Sequence, residues 1–258
     1  MTLTVFLQYC LAGISIGGIY ALIAIGYTMV YGILRLINFA HGDIFMMAAY
    51  FMIFAMVDFA IPWYISMIIM IIATVVLGVI IEKVAYAPLR SAPRMSVMIS
   101  AIGVSYLLQN VATYLFSALP KSYPSIPVLN KTIHLGDVST SLVTFITPII
   151  TIGFVLLLMA MIKYTKVGMA MRAVSKDFET AQLMGIKINS VISLTFVIGC
   201  FLAAVGSMLY FTPRPSVYPL VGSLPGLKCF IAAVFGGIGS IPGALVGGFV
   251  IGLSETFI

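Results

Sequence analysis

The sequence predicts an all-α fold, a polytopic bundle of transmembrane helices built from about seven hydrophobic blocks. Of its 258 residues, 62% are hydrophobic and only 8% are charged, whereas a soluble domain carries about 25% charged residues. The hydrophobic residues fall in runs of about 20, the length at which a helix crosses the hydrocarbon of a bilayer. Lipid is therefore the expected solvent for most of the chain.

The hydrophobic blocks follow one another as Phe6 to Val30, Ile44 to Val57, Trp63 to Ile81, Val97 to Phe116, Leu142 to Ile162, Val191 to Phe211, and Leu224 to the end. The second block is short for a spanning helix. The last block is long and is interrupted by Pro225, Pro242 and several glycines. Both are expected to be discontinuous helices, which membranes tolerate where the broken backbone is buried in protein or lines a cavity.

The distribution of the 13 Lys and Arg residues predicts the orientation. Alternate loops hold nine of them, namely Arg35, Lys83, Arg90, Arg94, Lys163, Lys166, Arg172, Lys176 and Lys187. The other loops hold three, Lys121, Lys131 and Arg214. Because Lys and Arg are retained on the cytoplasmic side, we expect the chain to begin outside the cell and residues 117–141 to form an external loop.

The same distribution argues against nucleic acid as a partner, although the formal net charge is +6. The cations flank apolar runs and form no basic amphipathic stripe, so membrane lipid is the expected neighbour. Cys10, Cys200 and Cys229 lie inside apolar segments without metal-ligand or disulfide spacing. We therefore expect no metal site.

The motifs do not predict an enzyme. His41 and His134 are the only histidines, and neither HExxH nor GxSxG occurs. The phosphate-binding pattern GxxxxGK followed by Ser or Thr is also absent. The chain is therefore expected to bind no cofactor, and any ATP chemistry must come from partner subunits.

Small residues at four-residue spacing predict close helix packing, because they let two backbones approach in lipid. Gly13 and Gly17 begin this pattern in the first block. Gly239, Gly243 and Gly247 continue it in the last block. The pattern fits packing within the chain as well as an interface between subunits.

Asn38, His41 and Asp43 join the first two blocks, where part of the chain is expected to enter the membrane. Ionisable groups at membrane depth are costly and usually functional, so these residues are candidates for the path of a transported substrate. A structural explanation stays open: Asp43 can cap a helix beginning at Ile44, with Asn38 as a turn former and His41 as an interfacial residue.

Lys228 is a further candidate for that path, because it is the one cation inside the last block. Its side chain can extend to the outer interface, or it can pair with an acid at similar depth, for which Asp43 is the candidate. Gln109 and Asn110, in the fourth block, are expected to make hydrogen bonds between helices.

Residues 163–190 are the longest stretch of mixed polarity, and their pattern predicts a short amphipathic helix on the cytoplasmic side. Ser175 can cap this helix, Asp177 and Glu179 suit its positive end, and Gly185 can stop it about two turns later. Such a helix can lie on the membrane or dock into a partner protein.

Glu179 to Gly185 reads ETAQLMG and resembles the Glu-Ala-Ala-x-x-x-Gly loop by which permeases of bacterial ABC importers contact their ATPases. Further blocks resemble, in the same order, the LivH-type permeases for branched-chain amino acids: LINFAHGD at 36–43, EKVAYAPLR at 82–90, IGVSYLLQN at 102–110, MRAV at 171–174 and GLKCFIAAVFGGIGSIPG at 226–243. The resemblance covers nearly the whole chain.

This resemblance implies a permease subunit of an ATP-driven importer for leucine, isoleucine and valine, in the cytoplasmic (inner) membrane of a bacterium or archaeon. The implied partners are a second permease subunit, two ATP-binding subunits that hold ATP and Mg, and an extracytoplasmic substrate-binding protein. Arg172, Glu179, Ala181 and Gly185 would then couple the permease to the ATPases, within a cytoplasmic coupling segment at residues 163–190.

The chain departs from the family pattern in three places. Thr180 stands where the family has alanine, the trailing Ile-x-Leu-Pro is absent after Gly185, and family members continue past the equivalent of Glu255. A single transmembrane permease domain over residues 1–258, truncated at its C-terminus, is therefore one expectation. Two alternatives stay open: a permease of this family for urea or short amides, and a self-sufficient secondary transporter with a coupling ion at Asp43.

Overall fold

The computed structural model describes residues 3–35, 37–90, 92–135 and 138–258. Within those residues, six helices are long and apolar enough to cross a membrane: Thr4–Leu34, His41–Asp58, Trp63–Leu89, Met95–Phe116, Leu142–Tyr164 and Ile188–Phe211. Two shorter apolar helices, Ser223–Phe235 and Ile241–Phe257, follow them. The predicted polytopic helical bundle is confirmed.

The described part of the chain contains ten α-helices, numbered in chain order: α1 Leu3–Leu34, α2 His41–Ile53, α3 Trp63–Ile81, α4 Arg94–Phe116, α5 Leu142–Tyr164, α6 Lys166–Lys176, α7 Phe178–Leu183, α8 Ile188–Phe211, α9 Ser223–Phe235 and α10 Ile241–Phe257. A π-helical turn, Phe54–Asp58, extends α2. A second π-helical turn, Glu82–Tyr86, and a 3-10 turn, Ala87–Leu89, extend α3.

The core of the bundle is formed by α1, α2 and α8. Every residue of α2 from His41 to Tyr50 is buried, so this helix has no lipid-facing side. By contrast, α3, α4 and α5 present large apolar side chains such as Ile72, Ile99 and Leu156 to the outside. A largely apolar outer surface suits a lipid environment, and the three helices therefore form the wall of the bundle.

Glycines set how closely α10 packs on its neighbours. A Cβ atom on Gly17 would lie 2.8 Å from the Cα of Phe249, and one on Gly13 would lie 3.1 Å from the Cα of Leu253. Gly247 of α10 lies directly against the backbone of Ala232 in α9, and Gly243 lies against the backbone of Gly236, the residue that ends α9. The small-residue spacing therefore coincides with helix contacts inside the chain at these four positions.

Gly239 has a different place from the other glycines of that pattern. It lies in the connection between α9 and α10, with a positive φ of 97°, and a Cβ atom there would meet no other described atom within 4 Å. Its role is to supply a left-handed backbone conformation for the turn, which costs glycine little. The last hydrophobic block is thus broken at residues 236–240.

Short strands tie together two connections at one end of the bundle. β1, Lys121–Ser122, pairs antiparallel with β4, Ser216–Val217, while β2, Thr132–Leu135, forms a hairpin with β3, Val138–Ser141. The sequence predicted an external loop over residues 117–141 in an all-α fold and did not predict these strands. Strands of two to four residues carry too little alternation to be predicted from sequence.

Two helices begin inside the bundle, which confirms the predicted discontinuous helices. Leu36, the first residue of the 36–43 block, lies outside the described residues, but α2 begins at His41, whose ring contacts Gly26 and Gly199. Gly199 lies halfway along α8, so α2 begins at about half the depth of a spanning helix. The start of α9 lies at the same level, because Gly222 and Gly226 contact Gly42.

Candidate functional site

The candidate site lies where the first turns of α2 and α9 meet. A Cβ atom on Gly42 would lie 2.7 Å from the carbonyl oxygen of Gly222 and 3.0 Å from the Cα of Gly226. Contacts this short leave no space for a side chain. The glycines therefore allow two broken helices to approach backbone to backbone at the centre of the bundle.

A cavity of about 510 Å³ lies beside this contact, between α4 and α9. Four of its lining residues are polar, namely Asp43, Ser105, Gln109 and Ser223. The rest of its wall is glycine, aromatic or aliphatic, including Tyr27, Phe39, Ile102, Tyr106, Leu227 and Phe230. A small polar group on one side and a broad apolar wall are typical of a site for a small amphipathic ligand.

Asp43 provides the charge at this cavity. Asp43 is only 2% exposed. Its carboxylate accepts one hydrogen bond from the hydroxyl of Ser105 and another, at 3.0 Å, from the side-chain amide of Gln109. Both donors belong to α4. The idea that Asp43 caps a helix beginning at Ile44 is therefore wrong, because α2 begins earlier and the carboxylate bonds across to another helix.

Gln109 connects α4 to both broken helices. Besides the bond to Asp43, its Nε2 atom lies 3.4 Å from the hydroxyl of Ser223 in α9. The expected interhelical bonding is confirmed for this residue. Asn110 differs from the prediction, since its amide donates to the carbonyl of Tyr106 in its own helix.

Asn38 and His41 are buried near the cavity but do not line it. His41 packs edge-on to Tyr27 with ring centroids 4.7 Å apart, and its Nε2 atom has no hydrogen-bond partner among the described residues. Asn38 accepts a hydrogen bond of 2.6 Å from the hydroxyl of Tyr86. Of the three candidates in this segment, the structure thus places Asp43 alone at the cavity wall.

Lys228 pairs with a different acid from the one expected. Its Nζ atom lies 2.6 Å from Oε1 of Glu255, and the hydroxyl of Tyr20 donates to the other oxygen of that carboxylate at 2.7 Å. The expected pairing with Asp43 is therefore wrong. The reason is that α10 runs antiparallel to α9 and carries Glu255 back to the level of Lys228.

Glu82 is a buried acid that sequence reasoning missed. It is 1% exposed, receives the guanidinium of Arg90, and accepts a hydrogen bond of 2.9 Å from Ser193 of α8. The third predicted hydrophobic block ends at Ile81, so Glu82 was expected in the loop that follows, beside Lys83. Glu82 begins the π-helical turn and is buried within the bundle. Arg90, eight residues later in the sequence, was the signal from which this ion pair could have been predicted.

The polar segment after α5 folds as two helices with a cap that differs from the predicted one. Asp177 caps α7, because its Oδ1 atom accepts hydrogen bonds from the backbone N–H groups of Glu179, at 2.9 Å, and Thr180, at 3.3 Å. The hydroxyl of Thr180 also donates to this carboxylate and lowers the pKa of Asp177. Ser175, the predicted cap, instead donates to the carbonyl of Arg172 within α6.

The predicted end of that helix at Gly185 is confirmed. Gly185 has a positive φ of 81°, its N–H donates to the carbonyl of Gln182, and the next N–H donates to the carbonyl of Ala181. These bonds satisfy the last carbonyls of α7, as expected for a glycine C-terminal stop. Ala181 faces inward, whereas Leu183 and Met184 are 87% and 78% exposed.

α7 therefore ends in a protruding apolar tip at the cation-rich end of the bundle. Arg172 is exposed on the adjoining helix α6, with its guanidinium 3.5 Å from the carbonyl of Lys163. A second cavity, of about 1090 Å³, separates α7 from the ends of α1 and α3 and the start of α8. Glu179, Gly185 and Tyr86 line it, so the cavity joins α7 to the hydrogen bond between Tyr86 and Asn38.

Comparison with known proteins places the chain in one family over almost its full length. Residues 9–258 match the family model described as branched-chain amino acid transport system / permease component. All the elements of the candidate site fall within that match. The two helices of the polar segment also lie inside it.

Individual relatives agree with that match. The high-affinity branched-chain amino acid transport system permease protein LivH of Escherichia coli K12 is 41% identical, over 97% of this chain and 85% of that protein. The corresponding permease BraD of Pseudomonas aeruginosa is 39% identical, over 98% and 86%. A probable LivH of Methanocaldococcus jannaschii is 29% identical, over 92% and 76%.

One solved structure is similar to the chain as a whole. It is PsaBC from Streptococcus pneumoniae in complex with Fab, with a TM-score of 0.46 and 20% sequence identity, over 96% of this chain and 79% of that one.

Proposed function

The chain belongs to the family of branched-chain amino acid transport system permeases, and from this we propose that it forms the membrane path of an ATP-driven importer for leucine, isoleucine and valine. The family and the apolar helices establish that the chain is a multi-pass membrane subunit of a transport system. The observation that carries the proposal is the cavity at the meeting of α2 and α9, with one acid and an apolar wall.

The substrate is proposed to pass through that cavity between two alternating states. Broken helices meeting at mid-depth are a recurring way to place a binding site in a transporter, because their starts carry polar backbone without crossing lipid. Asp43 lies at the cavity, and Asn38 and His41 hold the start of α2 in place. Lys228, tied to Glu255, fixes α9 against α10 and α1.

The driving force is proposed to enter through α7. In this proposal the tip at Leu183 and Met184 docks into an ATP-binding subunit. Glu179 and Arg172 contact the surface of that subunit. Ala181 and Gly185 keep α7 compact. Movement of α7 would reach Asn38 through the cavity that Tyr86 lines. ATP and Mg would be held by two partner subunits, and this chain would bind no cofactor.

The remaining partners are a second permease subunit and an extracytoplasmic substrate-binding protein. The Asp43 cavity opens to the side of the bundle between α4 and α9, where Tyr106 and Leu227 are exposed. A carboxylate in a cavity that opens to lipid is unfavourable, which supports a second permease subunit on this side. The binding protein would meet the opposite end from α7, where the described residues 117–135 and 138–141 lie.

The location proposed is the cytoplasmic membrane of a bacterium or archaeon, with the N-terminus outside. Loops with most of the cations lie together at the α7 end of the bundle, since Arg35, Arg90, Lys176 and Lys187 line one cavity there. The tendency of Lys and Arg to stay in the cytoplasm assigns that end to the inside. The start of α1 then faces outward.

A self-sufficient secondary transporter is the second candidate, because Asp43 has no cationic partner among the described residues and could bind a coupling ion. Affinity purification of the tagged chain from its host in mild detergent separates the two. Recovery of two ATP-binding subunits, a second permease and vanadate-sensitive ATP hydrolysis would support the importer. A stable chain recovered without an ATPase would favour the secondary transporter.

A further inference from the structure

Asp43 is a buried carboxylate whose charge is only partly compensated. Its two hydrogen-bond donors, Ser105 and Gln109, are neutral. The two ion pairs present among the described residues are Arg90 with Glu82 and Lys228 with Glu255. Neither includes Asp43, although a carboxylate at membrane depth is costly without a cation.

The other acids near the path already have their cations. Glu82, also buried, holds Arg90, and Glu255 holds Lys228 together with the hydroxyl of Tyr20. Asp43 differs from both in having no cationic partner among the described residues, and it lies in the lining of the cavity between α4 and α9. The site is arranged to receive a positive charge from a ligand.

We propose that Asp43 binds the ammonium group of an aliphatic α-amino acid in this cavity, with Ser105 and Gln109 as positioning residues. An ammonium group supplies three hydrogen-bond donors and one full positive charge. The described residues supply no such charge to the carboxylate of Asp43. This inference rests on the proposed function, because it names how the permease itself holds its substrate. It also disfavours a neutral ligand such as urea, which would leave the carboxylate without a cation.

The rest of the cavity fits the remaining parts of such a ligand. Phe39, Ile102, Leu227 and Phe230 offer an apolar wall for a branched side chain. On the α9 side, the hydroxyl of Ser223 lies next to the amide of Gln109, at the start of a 13-residue helix. The positive end of a helix favours a carboxylate. In the proposed complex the ammonium group of the amino acid therefore faces Asp43, and its carboxylate faces the start of α9.

The test is ATP-driven uptake of radiolabelled leucine by the complete transporter in proteoliposomes, saturated with its binding protein. Asp43→Asn keeps the size of the side chain and removes the charge. We expect the rate to fall about tenfold or more, as for loss of a charged hydrogen bond. Asp58→Asn, at an exposed acid outside the cavity, is the matched control and should transport as the wild type does.

Assembly of each variant is judged by the amount of ATP-binding subunit that co-purifies with it. If Asp43→Asn assembles poorly, Asp43→Glu and Asp43→Gln are compared, since they differ only in charge. Uptake by the Glu variant above the Gln variant supports the inference, and equal uptake by the two overturns it. Wild-type uptake by Asp43→Asn also overturns it, whereas absence of ATP-driven leucine uptake in the wild-type complex refutes the proposed function itself.

Discussion

Gly42 and Gly222 touch backbone to backbone, with 2.7 Å between the carbonyl oxygen of Gly222 and the position that a Cβ atom of Gly42 would take. This contact joins the first turns of α2 and α9 at the centre of the bundle. It also determines where Asp43, the residue after Gly42, meets α4. The position of the proposed binding site therefore depends on two residues that have no side chain.

The first prediction concerns this contact. Gly42→Ala should force the two helix starts apart, because the added atom overlaps backbone that cannot rotate away. Overpacking of this kind costs about 1–3 kcal/mol. Thermal unfolding of the purified complex should occur at a lower temperature, and leucine uptake should fall.

Gly103→Ala is the matched control for that change. A Cβ atom on Gly103 would meet no other described atom within 4 Å, and alanine favours a helix over glycine. This variant should be at least as stable as the wild type. Equal stability of the Gly42→Ala and Gly103→Ala proteins would contradict the close contact.

A second prediction concerns the end of α7. Gly185 has a left-handed backbone conformation, which costs a side-chain-bearing residue about 1–2 kcal/mol. Gly185→Val should therefore distort α7 and reduce co-purification of the ATP-binding subunits, while the chain still inserts into the membrane. Gly153→Ala, at an open position in α5, should leave co-purification unchanged. Normal recovery of ATPase with Gly185→Val would refute the docking role of α7.

A third prediction concerns the ion pair between Lys228 and Glu255. Lys228→Met leaves a partly buried carboxylate without its cation, so leucine uptake should fall at unchanged expression. Adding Glu255→Gln to Lys228→Met removes the negative charge that was left without a partner, so the double variant should regain part of the uptake. Residues in direct contact show such non-additive effects in a double-mutant cycle. If Lys228→Met transports like the wild type, Lys228 has no part in the path.

The orientation gives a fourth prediction. In intact cells, a membrane-impermeant thiol reagent should label Asn130→Cys, which lies on an exposed part of the external loop. Lys176→Cys, at the end of α6 on the other side, should react only after the membrane is permeabilised. The reverse pattern of labelling would overturn the assigned orientation.

The sequence was sufficient to predict features that depend on local chemistry. Hydrophobic runs located the spanning helices, and the short second block and the interrupted last block located the two discontinuous regions. Gly185 could be predicted as a helix end because a left-handed stop is a property of one residue and its neighbours. These predictions required no knowledge of how the helices pack.

Partners distant in sequence were not predicted, because they depend on which helices become neighbours. Asp43 meets Ser105 and Gln109 on α4, and Lys228 meets Glu255 because α9 and α10 run antiparallel. No periodicity or spacing encodes those contacts. The correct cap of α7, Asp177, was a local feature, but Ser175 offered an equally suitable side chain two residues earlier.

The most direct test of the account is uptake of radiolabelled leucine by proteoliposomes that contain the complex purified through this chain. The importer predicts uptake that requires both ATP and the binding protein, that unlabelled isoleucine and valine compete with, and that urea does not affect. Uptake that proceeds without ATP and stops when an ion gradient is collapsed would contradict the account and identify a secondary transporter.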